Sequence, residues 1–514
     1  MNRRKLLFCL LVTMLAGAFG KWALLQAAPR QPNVLLAISD DQSFRHTSIA
    51  GYKAITTPAF DRIAREGVLF RNAVCGSPGC SPSRASLLTG RYPWQIEHAG
   101  THASSFSVKY ACYPNLLEAG GYFVGYTGKG WGPGNWKEGG HQRNPAGPEF
   151  NRHRLKERPA SGISNRDYVA NFREFLKAKP ANKPFCFWYG GHEPHRGFEA
   201  GSGVAAGKKI SDVEVPSFLP DREIIRSDIL DYCLEIEHFD RQLGKMLKLL
   251  EKQGELENTI VLVTGDNGMA FPRAKANCYE YGIHVPLAIR WPGKGKPGRV
   301  VEDLVSFVDI APTLLEAAGL PAESAMTGQS LVKILQSEKA GVVEPQRRHV
   351  FSSRERHSSS RYNNWTYPQR AMRTQQYLLI RNFRPDRWPA GAPQKLNSDG
   401  SLGPMHGAYH DIDACPSLTF LVQNRDDSDV GPFFQWSVSK RPAWELFDIR
   451  KDPGCLNNLI GSSAAKDVEA GLKRELEAFL TQTRDPRILD GGEIFETYRR
   501  YSRMRKFPPP QDKP

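Results

Sequence analysis

Four short apolar runs punctuate the chain: NVLLAIS (33–39), YFVGYTG (122–128), PFCFWYGG (184–191) and TIVLVTG (259–265). Near-continuous apolar runs of this length read as strands buried on both faces, the habit of parallel sheets. Between them the period changes to that of a helix. The clearest case spans about 228–253, where Ile229, Cys233, Ile236, Phe239, Leu243, Met246, Leu247 and Leu250 form one stripe and Gly254 stops it. VDIAPTLLEAAGL (308–320) reads as another helix, with Gly319 at its end and Pro321 behind. The alternation predicts an α/β fold: a large, mostly parallel sheet flanked by helices. In such sheets ligands bind beyond the carboxyl ends of the strands. Those ends carry Asp40-Asp41, Lys129, His192 and Asp266-Asn267, so the pattern predicts one rim that gathers acids, a lysine and a histidine.

Past about 340 the texture turns to Arg, Ser, Asn and aromatic residues, with strand-like RAMRTQQYLLIRNF (370–383) and AWELFDIRKDP (443–453), then amphipathic DVEAGLKRELEAFLTQTR (467–484). This predicts a smaller α+β domain over 346–500 packed on a large domain over 29–345, with a disordered tail over 501–514. The first residues combine Arg3, Arg4 and Lys5 with an apolar run from Leu6 to about Gly20 and the small residues Ala27 and Ala28. That is the form of an export signal over 1–28. The run is short of the about 20 residues that span a bilayer, and no second one follows, so no membrane span is expected in the mature chain.

The 514 residues, 40% of them hydrophobic, suffice for a sizeable core. The formal charge is +15, of which Arg3, Arg4, Lys5 and Lys21 leave with the signal. A basic exported protein attracts polyanions, and without a nucleic-acid recognition motif an anionic glycan is the better partner. Of nine cysteines, Cys9 lies in the signal; apart from Cys80 the remaining seven are odd in number, and their pairing is not legible from spacing.

Cys80 opens CSPSRASLLTG, beside Pro82 and four residues before Arg84, at what reads as a helix start. Free backbone N–H groups there suit an anion or a nucleophile, and an inert buried thiol fits equally. The neighbouring chemistry weighs on this choice. Asp40, Asp41, Asp266 and Asn267 offer hard oxygen ligands for calcium or magnesium, not for the zinc that a thiolate prefers. An oxygen nucleophile would match such a cation.

CSPSRASLLTG resembles the C-x-P-x-R signature of the sulfatase family, whose cysteine is converted to formylglycine. NVLLAISDDQ, TGK, GHEPHR, VTGDNG, YGIHVPLAIRWPG and WELFDIRKDP extend the resemblance, in order, over almost the whole mature chain. Within the family, HEPHR, DNGMAFPRAKANCY and AMRTQQYLL are most similar to the heparan N-sulfatase (sulfamidase) branch. The resemblance implies an alkaline-phosphatase-like fold, a maturation enzyme that generates the formylglycine, and one calcium ion held by Asp40, Asp41, Asp266, Asn267 and the modified Cys80. It implies a hydrated formylglycine, one hydroxyl of which attacks sulfur while the other later expels sulfate. Arg84 would orient that group, Lys129 and Lys275 would neutralise sulfate oxygens, and His192 would face the leaving group, with His195 in support. The implied substrate is a sulfated glycan, N-sulfoglucosamine first and an O-sulfate next. A zinc-dependent phosphomonoesterase or phosphodiesterase of the wider superfamily is the rival that Cys80 argues against, and a non-catalytic glycan binder is another.

Two positions depart from the family pattern. Trp131 stands where a histidine, a proposed base, is usual, which turns attention to His98, His102 and His141; His284 stands where arginine is usual. The long segment 132–166 carries Arg143, Arg152, Arg154, Lys156 and Arg158, either a grip for an acidic sugar or a solvated charge run. Arg354, Arg356 and His357 are candidates for contacts from the smaller domain.

Overall fold

The four apolar runs become adjacent strands. In the computed structural model, which describes residues 30–510, the large sheet comprises β1 (Asn33–Ser39), β2 (Val68–Val74), β3 (Phe123–Gly128), β4 (Phe185–Gly190), β5 (Thr259–Gly265), β6 (His284–Arg290) and β7 (Arg299–Ser306). Their order is β3-β4-β1-β5-β6-β2-β7, and β6 alone runs antiparallel to its neighbours. The signal expected over 1–28 lies outside the described residues, and no described helix is long and apolar enough to cross a membrane.

Successive residues of β1 serve opposite faces. Leu35 and Ala37 face α1 (Pro58–Glu66), α3 (Tyr168–Ala178) and α4 (Glu223–Lys252), whereas Val34, Leu36 and Ile38 join the core of α2 (Cys80–Thr89) and α5 (Ile310–Ala317). Each large aliphatic chain so buried contributes about 1.5–3 kcal/mol. The expected stripe of α4 is buried throughout, and the helix begins five residues earlier than its apolar pattern. Its first turns place Ile225, Ile229 and Cys233 against Met269 and Phe271, beneath the loop that follows β5.

Register levels the strand ends: Ile38 pairs with Gly190, Gly128 with Gly190, and Ser39 with Gly265. Gly190 is required by close approach, because a Cβ there would lie 1.8 Å from the Lys129 carbonyl oxygen.

The second sheet, β8 (Val350–Arg354), β9 (Gln369–Arg373), β10 (Tyr377–Asn382) and β11 (Trp444–Asp448), is antiparallel in the order β11-β10-β9-β8. The stretch 370–383 is therefore a hairpin, closed where Thr374 Oγ1 accepts the Tyr377 amide at 2.8 Å. Helix α6 (Lys466–Gln482) lays Leu476 and Leu480 on this sheet. Just past it, Arg370 grips Asp485 and Glu355 in a buried lattice that Arg487 completes. Residues 501–510, expected to be disordered, return along the loops: the Tyr501 amide donates to the Ala103 carbonyl, the Leu396 amide to that of Lys506, and Phe507 is buried. All eight described cysteines are buried free thiols.

One buried acid of α4 yields a test. Glu235 has an unpartnered Oε1 among the described residues, and burial, with the nearby Glu193, raises its carboxyl from 4.5 to about 9. The native state thus keeps a proton that the unfolded chain releases, and stability falls as pH rises across that window. Glu235→Gln is expected to flatten this slope and to raise the melting temperature at pH 8 relative to the parent. An unchanged slope would show that Glu235 ionises normally in the fold.

Candidate active site

The strand ends deliver their side chains to one point. Asp40 and Asp41 follow β1, Lys129 follows β3 and Asp266 follows β5, while Cys80 is the first residue of α2. Asp41 adopts φ 73°, a left-handed conformation that short polar residues tolerate, and its amide donates to Asp266 Oδ1 at 3.0 Å. Asn267 Nδ2 donates to Asp41 Oδ1 at 2.8 Å. Cys80 Sγ is 4.0 Å from the same Asp41 oxygen, and ligand atoms of Asp40, Asp41 and Cys80 lie within 4.8 Å of one another.

Cations close around these acids. Lys129 Nζ is 2.5 Å from Asp40 Oδ2. Lys275 Nζ bridges Asp41 Oδ2 at 2.6 Å and Asp413 Oδ2 at 2.8 Å. Arg84, fully buried, donates from Nε to Asp266 Oδ2 at 2.7 Å and from Nη1 to the carbonyls of Lys129 and Gly130 at 2.7 and 3.1 Å. Its Nη2 has no partner among the described residues.

Burial would raise the Asp40 carboxyl, but Lys129, helped by His195, Arg84 and Lys275, holds it well below the usual range. Asp266 goes the other way, to about 6, because burial and the Asp40 charge outweigh Arg84. Burial also opposes charge on Lys275, yet Asp41 and Asp413 keep it firmly protonated. The Cys80 thiol is pushed well up by burial and by the Asp40 charge, so it is no thiolate. The three buried acids Asp40, Asp41 and Asp266 are thus each paired with a cationic side chain, and the part-buried Asp413 adds a fourth acid by sharing Lys275.

The donor set fits a hard divalent cation. Asp40 Oδ1 and Asn267 Oδ1 are buried oxygens with no hydrogen-bond partner among the described residues, and carboxylate and carboxamide oxygens are the ligands that calcium and magnesium take. The protonated thiol is the one mismatched donor.

His192 and His195 sit at the edge of the group. His192 Nε2 accepts from Arg166 Nη1 at 2.6 Å, and burial, then Arg166 and Lys129, lower its pKa to about 3. His195 Nε2 lies 3.9 Å from Asp41 Oδ2, and it groups with Asp41 and Asp413.

Trp131 is buried, with its indole Nε1 donating to the Ser81 carbonyl at 3.0 Å; it props the start of α2 and offers no base. Of the histidines weighed in its place, His98 stacks on Tyr498 and His141 packs edge-on to Phe106. His102 lies beside His357, their rings 4.5 Å apart, and both abut Gly79, where a Cβ would stand 3.0 Å from His357 Nδ1 and 3.9 Å from His102 Cδ2. His284 is occupied by Glu280 and the Arg71 carbonyl, at 2.7 and 2.8 Å, far from any free role. In the basic segment Arg143 pairs with Glu118, Arg152 with Glu174, and Arg158 binds the Ser161 and Ile163 carbonyls, while Arg154 and Lys156 are exposed. Arg354 and Arg356 turn inward, to Asp411 and to the Tyr498 carbonyl.

Sequence reasoning missed Asp413 and Arg166, whereas His357, a candidate contact from the smaller domain, does reach the Cys80 loop. Asp413 lies in HDIDACP, which carries no family signature among the quoted motifs. Arg166 belongs to the long basic segment, where nothing distinguishes it from its exposed neighbours until the fold brings it to His192.

Arg84 and Asp266 form a fully buried pair, and removing one partner strands the other. Arg84→Met is expected to cost about 3–5 kcal/mol in denaturant titrations, and the double change with Asp266→Leu to recover part of it. A loss in the single variant within about 0.5 kcal/mol, as for a surface position, contradicts the pairing.

Residues 32–320 match the family model described as Sulfatase, and residues 273–390 the model described as N-sulphoglucosamine sulphohydrolase, C-terminal. The chain is 28% identical to human N-sulphoglucosamine sulphohydrolase, over 92% of this chain and 94% of that one. It is 26% identical to an ulvan-active sulfatase of Formosa agariphila, over 91% of this chain and 77% of the relative. It is 24% identical to an N-acetylglucosamine-6-O-sulfatase of Bacteroides thetaiotaomicron, over 89% and 87%. The fold is shared with a structure in complex with its substrate D-glucosamine-2-N,6-O-disulfate, TM-score 0.64 at 19% identity, covering 89% of this chain and 99% of that one. It is shared also with a phosphonate monoester hydrolase of Agrobacterium radiobacter, TM-score 0.62 at 19% identity, over 89% and 97%. The large mixed sheet with its smaller antiparallel companion is thus the alkaline-phosphatase-like architecture, and the chain belongs to the sulfatase family, hydrolases of sulfate esters or sulfamates.

Proposed function

We propose that this sulfatase hydrolyses the N–S bond of N-sulfoglucosamine in a heparan-type glycan, after export directed by residues 1–28 and conversion of Cys80 to formylglycine by a maturation enzyme. The observation that carries the reading is the buried meeting of Asp40, Asp41, Asp266 and Asn267 around residue 80. Preference for the sulfamate rests on the match over residues 273–390 and on the likeness to the human sulfohydrolase.

Asp40, Asp41, Asp266 and Asn267 would hold calcium, together with an oxygen at residue 80. When bound, such a cation lowers the pKa of a coordinated hydroxyl and polarises the S–O bonds. The chain's own groups do the rest. Arg84 is fixed on two sides by Asp266 and the carbonyls after β3, and its unpartnered Nη2 is the donor left to orient the oxygen at position 80. Lys129 and Lys275, kept protonated by their carboxylates, offer ammonium protons to sulfate oxygens as charge builds. His192 is neutral and its Nε2 accepts from Arg166, so its ring proton is on Nδ1, the donor that would hydrogen-bond the leaving atom.

A sulfamate releases one free amine for each sulfate, whereas an O-ester releases an alcohol. The likeness to an N-acetylglucosamine-6-O-sulfatase favours the O-ester as a second reading. The test uses protein whose Cys80 is confirmed by peptide mass as formylglycine, given N-sulfated and O-sulfated glucosamine oligosaccharides, with sulfate and amine quantified against Cys80→Ala. Equal yields of both are expected, with His192→Ala slower by about 10²–10⁴. Sulfate without amine selects the O-ester, and no release from either series refutes the proposal.

A further inference from the structure

Beyond the Cys80 site, a cavity of about 380 Å³ opens in the region of the smaller sheet, walled by aromatic and cationic side chains and by apolar ones that include Pro508, Pro509 and Pro510, and sharing no residue with the cluster around Asp41. Its volume falls in the about 300–1,000 Å³ of small-molecule sites. Tyr362, Trp365 and Trp388 supply half-buried rings. Asn363 and Asn364, at φ 46° and 58°, turn the chain so that the Tyr362 and Trp365 rings meet at 5.3 Å, near perpendicular. Arg361 fixes the third ring's backbone, donating from Nε to the Trp388 carbonyl at 2.7 Å, while its Nη2 binds Asp411.

Two cations lie on these rings. The Arg387 guanidinium is 4.6 Å from the Trp365 centroid and Lys440 Nζ is 5.3 Å from that of Trp388. Arg387 is only 5% exposed; its Nη1 is taken by Glu496 and Thr366, but its Nε is buried without a partner among the described residues. Lys440 is exposed at the mouth and is in no ion pair among the described residues. The acid on the rim, Asp386, is paired with Arg384. Aromatic faces pack on the apolar C–H face of a sugar ring, and the unpaired ammonium of Lys440 beside them suits a carboxylate or sulfate substituent.

We infer that this cavity is a second saccharide site, which holds an acidic sugar unit of a glycan chain against the Trp365 and Trp388 rings with its anionic group at Lys440. The inference rests on the proposed glycan substrate and adds a contact outside the reacting centre. It commits to an acidic oligosaccharide over an apolar peptide, for which the exposed Leu402 and Met405 on the rim would be the attraction.

The test titrates a heparin-derived hexasaccharide into the Cys80→Ala chain, which cannot form the formylglycine, and into the same chain carrying Lys440→Glu or Trp388→Ala. Each substitution is expected to weaken binding about tenfold, and neutral maltohexaose is expected not to bind. Lys440→Glu changes an exposed side chain, so it remains informative if Trp388→Ala fails to fold. Parental affinity in a folded Lys440→Glu chain, or maltohexaose bound as tightly as the hexasaccharide, overturns the site. Sulfate release from the N-sulfoglucosamine monosaccharide, measured on the Cys80 chain, should be unaffected by Lys440→Glu. If the Cys80 chain released no sulfate while Lys440→Glu still lost affinity, the proposed function would fail and the site would stand; sulfate release with undiminished hexasaccharide affinity refutes the site alone.

Discussion

Buried negative charge is the constraint on which this structure turns. Asp40, Asp41 and Asp266 are removed from water at the ends of two neighbouring strands, and a carboxylate in that position is tolerated only when paired and hydrogen-bonded. The surrounding chain answers that need. Arg84 reaches Asp266 because α2 begins at Cys80, Lys129 reaches Asp40 because β3 ends level with β4, and Lys275 reaches Asp41 across the loop after β5. The same arrangement sets the chemistry: hard oxygens gather beside residue 80, and each acid carries a fixed cation. A thiol surrounded in this way is protonated and a poor ligand, which is why an oxygen derived from Cys80 suits the site better than the cysteine itself.

The smaller sheet is part of this balance. Asp413 extends from its loops to share Lys275 with Asp41, and His357 from the segment after β8 stands against Gly79, next to residue 80. Arg354 and Arg361, both on Asp411, anchor the loop that presents Asp413. The residues between the sheets therefore act as struts, and the inward turn of Arg354 and Arg356 is structural bracing where direct contact with a ligand was expected from sequence.

Much of the large sheet was legible because strands buried on both faces leave unbroken apolar runs, as β1, β4 and β5 do. Strand β6 was less visible as a strand: HVPLAIR carries Pro286 and was read as part of a motif, and its antiparallel direction is a matter of topology that periodicity does not encode. The hairpin of β9 and β10 read as one stretch because its turn, Thr374-Gln375-Gln376, lacks glycine or proline. The rim residues followed from strand ends and from motif resemblance together. Asp413 and Arg166 did not, since each gains its meaning from a partner more than twenty residues away in sequence. Trp131 was legible as a departure, and the structure gives it a physical role, as a donor to Ser81 and a packed ring beside Phe106. Of the three histidines considered in its place, only His102 stands by the Cys80 loop.

In the proposed site Asp40, Asp41, Asp266 and Asn267 would cage a hard cation against residue 80. Elemental analysis of the purified chain after gel filtration tests it most directly, alongside Asp40→Asn and Asp41→Asn variants checked for folding. The account predicts close to one calcium ion per chain, lost in both variants and absent from a chelator-treated sample until calcium is restored. A chain with no divalent cation, or one that holds stoichiometric zinc only while the Cys80 thiol is intact, would contradict it.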